Sequence, residues 1–311
     1  MDPLNPICNR SICPWHLRTR TLELGRRTLV MGVVNITPDS FSDGGSFLAP
    51  EAAIAHALQL LDEGADLLDL GAESTRPGSR AGGVRGPESA PDVSPEEEQA
   101  RLLPVLEGIL AARPNTVLSI DTYKAATARA ALAAGAEIIN DVSGFTWDAD
   151  LPAVCAESRC GVILMHTRGR PEEWPSQPQL DPETLIATVH NGLAASLATA
   201  RHAGIASESI LLDPGYGFGK RFNENFSLIA RQQELLALGR PLLVGLSRKS
   251  FLGHALAPLY GDKSAPVQAR ETASIAALVG AILHGASIVR VHDVRPAVEA
   301  AAIADAILDA P

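Results

Sequence analysis

Short runs of β-branched and leucine residues alternate along the chain with longer stretches in which apolar positions recur every three or four residues. The runs fall at 29–34, 67–70, 117–120, 137–139, 162–165, 210–212, 242–244 and 288–291. Continuous apolar runs of this length fit strands covered on both faces, as in a parallel sheet. Helical periodicity fills the gaps between them. Residues 51–63 follow Pro50, place Ile54, Leu58 and Leu61 on one face and stop at Gly64. Residues 95–112 open on a capping box of Ser94 and Glu97, and Pro104 predicts a kink within them. Further helices are expected at 123–134, 182–203, 224–238, 268–284 and 296–308, most of them stopping at a glycine.

Eight strand-then-helix units, averaging about 35 residues, imply right-handed parallel crossovers and have the size of a TIM (β/α)8 barrel. The alternative, an open doubly wound sheet, needs a glycine fingerprint after its first strand, where Asn35-Ile36-Thr37-Pro38 stands instead. Residues 17–30, with a turn at Glu23-Leu24-Gly25-Arg26, read as a β-hairpin placed to cover the bottom of the barrel. The expected organisation is an N-terminal extension over 1–16 and a single barrel domain over 17–311.

Composition narrows the choice of partners. With 46% hydrophobic and 20% charged residues the chain can fill a core of that size. Its 26 basic against 36 acidic side chains, a net charge of −10, lack the basic surface of a nucleic-acid binder. Scarce aromatic residues also argue against a platform for stacked bases. Small anionic substrates remain compatible, because a few placed cations decide local potential. No stretch is apolar enough to span a bilayer and residues 1–20 lack the apolar core of a secretory signal, so no membrane partner and a cytoplasmic location are expected. Cys8, Cys13, Cys155 and Cys160 form two C-x4-C pairs without a repeated ligand pattern beside them, and read as reduced thiols rather than a zinc site.

Chemistry in a TIM barrel sits at the C-terminal ends of its strands. Every predicted strand end here carries polar groups: Asn35 to Gly45, Glu73 to Gly78, Asp121-Thr122, Asn140-Asp141, His166, Asp213 to Lys220, Gly245 to Ser250 and Arg290 to Asp293. One of them, such as Thr122, can be a helix cap; eight in register are hard to explain as caps. Asp121, Asn140 and Asp213 offer acceptors, with the Asn amide as an added donor, which suits a flat, nitrogen-rich heterocycle; Lys249 can bond to ring carbonyl or nitrogen acceptors. Arg76, Arg290 and His292, with Thr75 and Asn35, suit a phosphate or diphosphate. Asn35 can give one oxygen to Mg2+, which takes its other ligands from substrate phosphates and water. The segment Gly215-x-Gly217-x-Gly219-Lys220 lacks the spacing and the Ser/Thr of a P-loop, and Gly245-Leu246-Ser247-Arg248-Lys249 is not a nucleophile elbow. Asp69 reads as a satisfied carboxylate inside the barrel, Lys220 as a charge at a helix start or on the surface, and Trp174 as loop packing. His166 stands evenly between a structural and a functional reading.

In this order and at these strand ends, the motifs resemble those of the dihydropteroate synthases, TIM-barrel enzymes of the folate pathway. The resemblance covers about residues 29–308. It implies transfer of the (7,8-dihydropterin-6-yl)methyl group from its diphosphate to p-aminobenzoate, giving dihydropteroate and diphosphate, with Mg2+, competition by sulfonamides and a homodimer. It assigns Asp121, Asn140, Asp213 and Lys249 to the pterin. It assigns Asn35, Thr75, Arg76, Arg290 and His292 to the diphosphate, with Asn35 at the metal, and Thr75, Arg76, Pro77, Phe218, Lys249 and Ser250 to p-aminobenzoate. Lys249, Asp121, Asp213 and Arg290 then carry the chemistry. The sequence departs from the family pattern at Ala72, in the long segment 79–92, and where Thr167-Arg168-Gly169 replaces Met-Gln-Gly. Two other functions compete. A pterin domain of a corrinoid methyltransferase is disfavoured by the intact Ser247-Arg248-Lys249 and Glu73 to Gly78 motifs, and a non-catalytic pterin binder by the presence of Asn35, Lys249 and Arg290 together.

Overall fold

The structure, a computed structural model, describes residues 10–36, 50–73 and 93–310. Two antiparallel strands, β1 (Cys13–His16) and β2 (Thr21–Leu24), precede eight parallel ones. These are β3 (Leu29–Asn35), β4 (Leu67–Gly71), β5 (Leu118–Asp121), β6 (Ile138–Asp141), β7 (Gly161–Met165), β8 (Ile210–Asp213), β9 (Leu242–Val244) and β10 (Ala286–Val291). They close in chain order into a barrel, β10 pairing with β3 from Ile288–Leu29 to Val291–Gly32. Around it lie α1 (Pro50–Asp62), α2 (Pro95–Ala112), α3 (Ala125–Ala133), α4 (Leu151–Ser158), α5 (Pro182–His202), α6 (Phe222–Arg231), α7 (Ser250–Ala255), α8 (Glu271–Leu283) and α9 (Val294–Leu308). The expected TIM barrel with an N-terminal hairpin is the fold observed.

Several local expectations shift. The hairpin pairs Cys13 with Leu24 and His16 with Thr21, so its turn is 17–20 rather than 23–26, and it begins before the expected boundary at 16. Gly25, at φ 94°, instead lets the chain leave β2 toward the barrel. Ser94 caps α2, its Oγ accepting from the Glu97 N–H at 3.2 Å, but the reciprocal half of the expected capping box is replaced by a Glu97–Arg101 pair, and α2 runs on through Pro104. The stretch 224–238 divides at Gln232 into α6 and a tighter 3-10 segment, Gln232–Leu238. The buried Gln232 amide donates to Ala281 O at 2.7 Å and accepts from the Tyr216 hydroxyl, contacts that pull this turn inward. α4 and α7, of 8 and 6 residues, are too short to announce themselves by periodicity.

Side chains alternate between the two sides of each barrel strand. Outward residues such as Leu68, Leu70, Ile120 and Leu212 pack with the helices into the main apolar shell. Inward residues near the strand starts, among them Leu67, Ile138, Ile163, Leu211 and Ile288, form a second cluster with Trp15, Leu17 and Leu24 of the hairpin. The hairpin therefore plugs the bottom of the barrel. Trp15 is fully buried and its indole N–H still finds an acceptor, Ser209 O at 2.9 Å. Two residues further along the same inward face the character changes: Leu67 gives way to Asp69, Ile138 to Asn140, Leu211 to Asp213 and Ile288 to Arg290. A period of two thus divides the interior into an apolar floor and a polar upper layer.

The chain before the hairpin is latched to the last helix. Arg10, its side chain 4% exposed, donates to Asp305 Oδ1 at 2.6 Å and to Ala286 O at 3.0 Å. Asp305 also accepts from the Thr28 backbone N–H and hydroxyl, both at 2.7 Å. Asp305→Ala leaves a buried guanidinium and an amide without their acceptor and is expected to cost about 3 kcal/mol in urea unfolding. The change lies at the floor of the barrel, so substrate affinities should stay within about twofold.

Candidate functional site

The polar upper layer is organised around one carboxylate. Asp69, at 0% exposure in β4, accepts through a single oxygen, Oδ2, from Arg290 Nε at 2.6 Å and from Asn140 Nδ2 at 3.0 Å. Arg290 reaches from β10 and gives its Nη2 to Asp121 Oδ2 at 2.8 Å. Because Asp69 can only accept, the Asn140 amide turns its NH2 toward it, and its carbonyl is left for another partner. Gly71 passes beside the Asp121 side chain, at a spacing where even a Cβ would make only ordinary contact, 3.5 Å from the Asp121 Cβ. Burial pushes the Asp121 carboxyl up to about 7, against the pull of Arg290. Burial works against the Arg290 guanidinium, but Asp69 and Asp121 outweigh it and hold its pKa above the usual value.

Asp213 ends β8 beside this network. Its Oδ1 accepts from the Gly215 N–H at 2.7 Å, and burial raises its pKa against that hydrogen bond and the charge of Lys249. Lys249, at the start of α7, holds its ammonium 4.1 Å from the centroid of the Phe218 ring. An apolar group of Tyr123, Val142 and Met165, with Trp147 and Phe218 packed against it, stands at the same end of the barrel. The arrangement offers a flat ligand an acceptor-rich edge, two fixed cations and an apolar wall.

A family model for pterin binding enzymes matches residues 31–292. The dihydropteroate synthase of Synechocystis is 40% identical over 307 residues, 99% of each chain. A solved dihydropteroate synthase from Xanthomonas albilineans with 4-aminobenzoic acid superimposes with a TM-score of 0.82 at 39% identity, over 97% of this chain and 100% of that one. Another structure of the Xanthomonas albilineans enzyme, in complex with 7,8-dihydropteroate, gives a TM-score of 0.79 at 38% identity, over 96% and 100%. This chain belongs to the dihydropteroate synthases.

The residues that the family resemblance singles out are brought together to different degrees. Asp121, Asn140, Asp213, Arg290 and Lys249 gather at the barrel mouth, as described. Asn35 ends β3, in register with Gly71. His292, just past β10, meets the Ser247 hydroxyl through its Nδ1 at 3.1 Å and through its backbone N–H at 3.3 Å. Ser250 is exposed at the first position of α7. Thr75, Arg76 and Pro77 lie outside the described residues, as do 37–49 and the long segment 79–92. Arg248 does not join the site cations; it is bidentate to Asp293, at 3.1 and 2.5 Å.

Three readings of single residues are refined. Asp69 is interior, as expected, but only half satisfied: its Oδ2 anchors Arg290 and Asn140, while its buried Oδ1 has no hydrogen-bond partner among the described residues. His166 is buried with its ring against Gly192 of α5, where a Cβ would lie 2.4 Å away; burial, with Lys220 and Arg168 adding to it, keeps its pKa well below the usual value. Lys220 is not a surface charge. It is 6% exposed and donates to Gly215 O at 2.8 Å, His166 O at 3.1 Å and Phe218 O at 3.3 Å; burial pushes its pKa down to about 7, with Asp213 opposing. Of the apolar wall only Phe218 is expected from the sequence; Tyr123, Val142, Met165 and Trp147 carry no polar strand-end signal, although Met165 follows Ile163 at the inward spacing of β7.

The donor chemistry bears on a metal. Among the described residues no three His, Cys, Asp or Glu side chains gather as a cage. Asn35 supplies a neutral oxygen at the end where Arg290 and His292 stand, a sparse set that fits Mg2+ completed by substrate phosphate and water. Cys155 and Cys160 are buried free thiols, Cys13 is a free thiol in the hairpin, and Cys8 lies outside the described residues.

The fold favours the protonated form of Asp121, so that contribution to stability is present below pH ~4 and is lost as pH rises through about 7. Asp121→Asn removes the titration. The stability of the wild type relative to this variant should therefore fall between pH 4 and pH 7 in urea unfolding, and a pH-independent difference would contradict the shift.

Proposed function

We propose the following division of labour for the dihydropteroate synthase reaction, transfer of the (7,8-dihydropterin-6-yl)methyl group to p-aminobenzoate. Asp121, Asn140, Asp213 and Lys249 hold the pterin ring by its edge. The Asn140 carbonyl, turned away from Asp69, accepts a ring N–H. Phe218 and Ser250, with Thr75, Arg76 and Pro77, hold p-aminobenzoate. Asn35, Thr75, Arg76, Arg290 and His292 hold the diphosphate. The observation that carries this reading is the single network of Asp69, Arg290, Asp121 and Asn140 beside Asp213, a preset frame of acceptors around a half-buried cation.

The bond from the pterin methylene carbon to the diphosphate oxygen breaks, and its electron pair leaves with the diphosphate. The carbon left behind is cation-like, and the amine lone pair of p-aminobenzoate forms the new C–N bond, after which the amine sheds a proton. An arylamine is a weak nucleophile, so the enzyme's task is to stabilise the separated charges rather than to supply a strong base. Asp121 and Asp213 lie close to the electron-poor ring, while Arg290 and His292 favour the departing anion. Mg2+ held through Asn35 and the diphosphate would neutralise further negative charge on the leaving group.

Two coarser features complete the reading. Ile303 and Ile307, one turn apart on α9, are exposed and support pairing of two copies as a homodimer. The free thiols support a reducing compartment, the cytoplasm. No helix among the described residues is long and apolar enough to cross a membrane.

Purified protein given Mg2+ and both substrates is expected to release diphosphate and form dihydropteroate in equal amounts, with a sulfonamide raising the KM for p-aminobenzoate and leaving kcat unchanged. No product at millimolar substrate would sink the reading. Asn35→Ala should raise the half-saturating Mg2+ concentration about tenfold while leaving the affinity for a pterin without diphosphate unchanged, measured by titration calorimetry.

A further inference from the structure

We propose that Lys220 is a positioning residue for this reaction: buried beside the site, it gathers three backbone carbonyls and so sets both Asp213 and Phe218. The inference rests on the assignment of those two residues to the pterin and to p-aminobenzoate.

The segment Gly215-x-Gly217-x-Gly219-Lys220 has the glycine density of a phosphate-binding loop, yet it is folded around its own lysine. An ammonium has three N–H donors, and three carbonyls surround this one, Gly215 O, His166 O and Phe218 O. His166 belongs to the connection after β7 and the other two to the connection after β8, so one side chain ties neighbouring strand ends together. Each tie leads to the site. Gly215, held by its carbonyl, gives its N–H to Asp213 Oδ1. Phe218, held by its carbonyl, presents its ring to Lys249.

The rest of the loop leaves little slack. Gly215 has φ 70°, and a Cβ there would lie 1.9 Å from His166 O, so backbone packs directly on backbone. The Gly217 N–H donates to Asn225 Oδ1 at 2.7 Å, and Asn225 Nδ2 donates to Lys220 O at 3.2 Å. Arg168 adds a second cation to the same loop through Gly219 O at 3.1 Å. Removing the ammonium therefore frees the two carbonyls whose residues aim at the two substrates. Misplacing reacting groups by about 1 Å can cost on the order of 100-fold in rate.

The test uses the full chain with Lys220→Met, which keeps the length and loses the donors. The KM for the pterin diphosphate is expected to rise tenfold or more, on the order expected for misplaced binding groups, with a smaller rise for p-aminobenzoate. Lys220→Gln keeps two N–H donors on a shorter chain and should fall between Met and the wild type. Asp305→Asn, at the barrel floor, serves as a control of comparable lost stability whose KM values stay within about twofold. In an Asp213→Asn background, Lys220→Met should raise the KM for the pterin diphosphate by less than about threefold more, because that effect passes through Asp213. The proposal is overturned if Lys220→Met leaves both KM values unchanged, if its effects match those of the Asp305 control, or if its effect on the KM for the pterin diphosphate adds fully to that of Asp213→Asn. Failure of both Lys220 variants to fold would also overturn it, since Lys220 would then belong to the fold rather than to the site. Absence of turnover in the wild type is a different outcome, and tells against the assigned reaction instead.

Discussion

Arg290 crosses the barrel interior to reach Asp69 and Asp121, and much of the upper layer follows from the demands of that guanidinium. A buried cation is tolerable only when acceptors surround it, and removing one partner leaves a charge stranded. Here the acceptors come from β4 and β5 while the cation comes from β10, separated from them by 221 and 169 residues. The ion network therefore exists only once β10 has paired with β3 and the barrel is closed. Barrel closure and assembly of this polar network are one event. The shared oxygen of Asp69 extends the same control to Asn140, whose amide has no freedom to reverse without putting its carbonyl against a carboxylate.

Much of this was legible in the chain because strand periodicity is a local signal with a global meaning. The eight apolar runs are buried on both faces, so they stood out as parallel strands. The polar residues that follow them fall at the strand ends, where Asp121, Asn140, Asp213 and Arg290 are found. What failed was set by tertiary contacts. Gly25 is a strong turn signal, but its positive φ serves the exit from the hairpin, while Trp15 and Leu24 fix the strand pairing by burying their side chains in the barrel floor. Lys220, flanked by Gly219 and Arg221, looks like a surface cation. Only carbonyls contributed by two separate connections make its burial possible, and backbone carbonyls leave no trace in a residue pattern. Asp69 was legible as a buried carboxylate, but not its partner, because the pairing depends on closure.

The two charged anchors also differ in kind. Arg290 is held by carboxylates, so its surroundings tune its charge and that of Asp121 together. Lys220 is held by carbonyls, so its surroundings give geometry with little compensation of charge, and burial lowers its pKa. A planar fork suits the first task and a compact three-donor head the second. Exchanging Arg for Lys at either place would mismatch both the number and the direction of the donors.

The hairpin floor has a kinetic consequence. Leu67, Ile138, Leu211 and their neighbours fill the interior beneath the polar layer, with Trp15, Leu17 and Leu24 under them, so among the described residues the layer opens at the other end alone. Under the proposed assignment the pterin rests on strand-borne residues, Asp121, Asn140 and Asp213, while p-aminobenzoate rests nearer the rim, on Phe218 and Ser250. A recess with one opening enforces a queue. The inner guest has to arrive before the outer one, an outer guest that arrives early bars the way, and the joined product must withdraw through the same door.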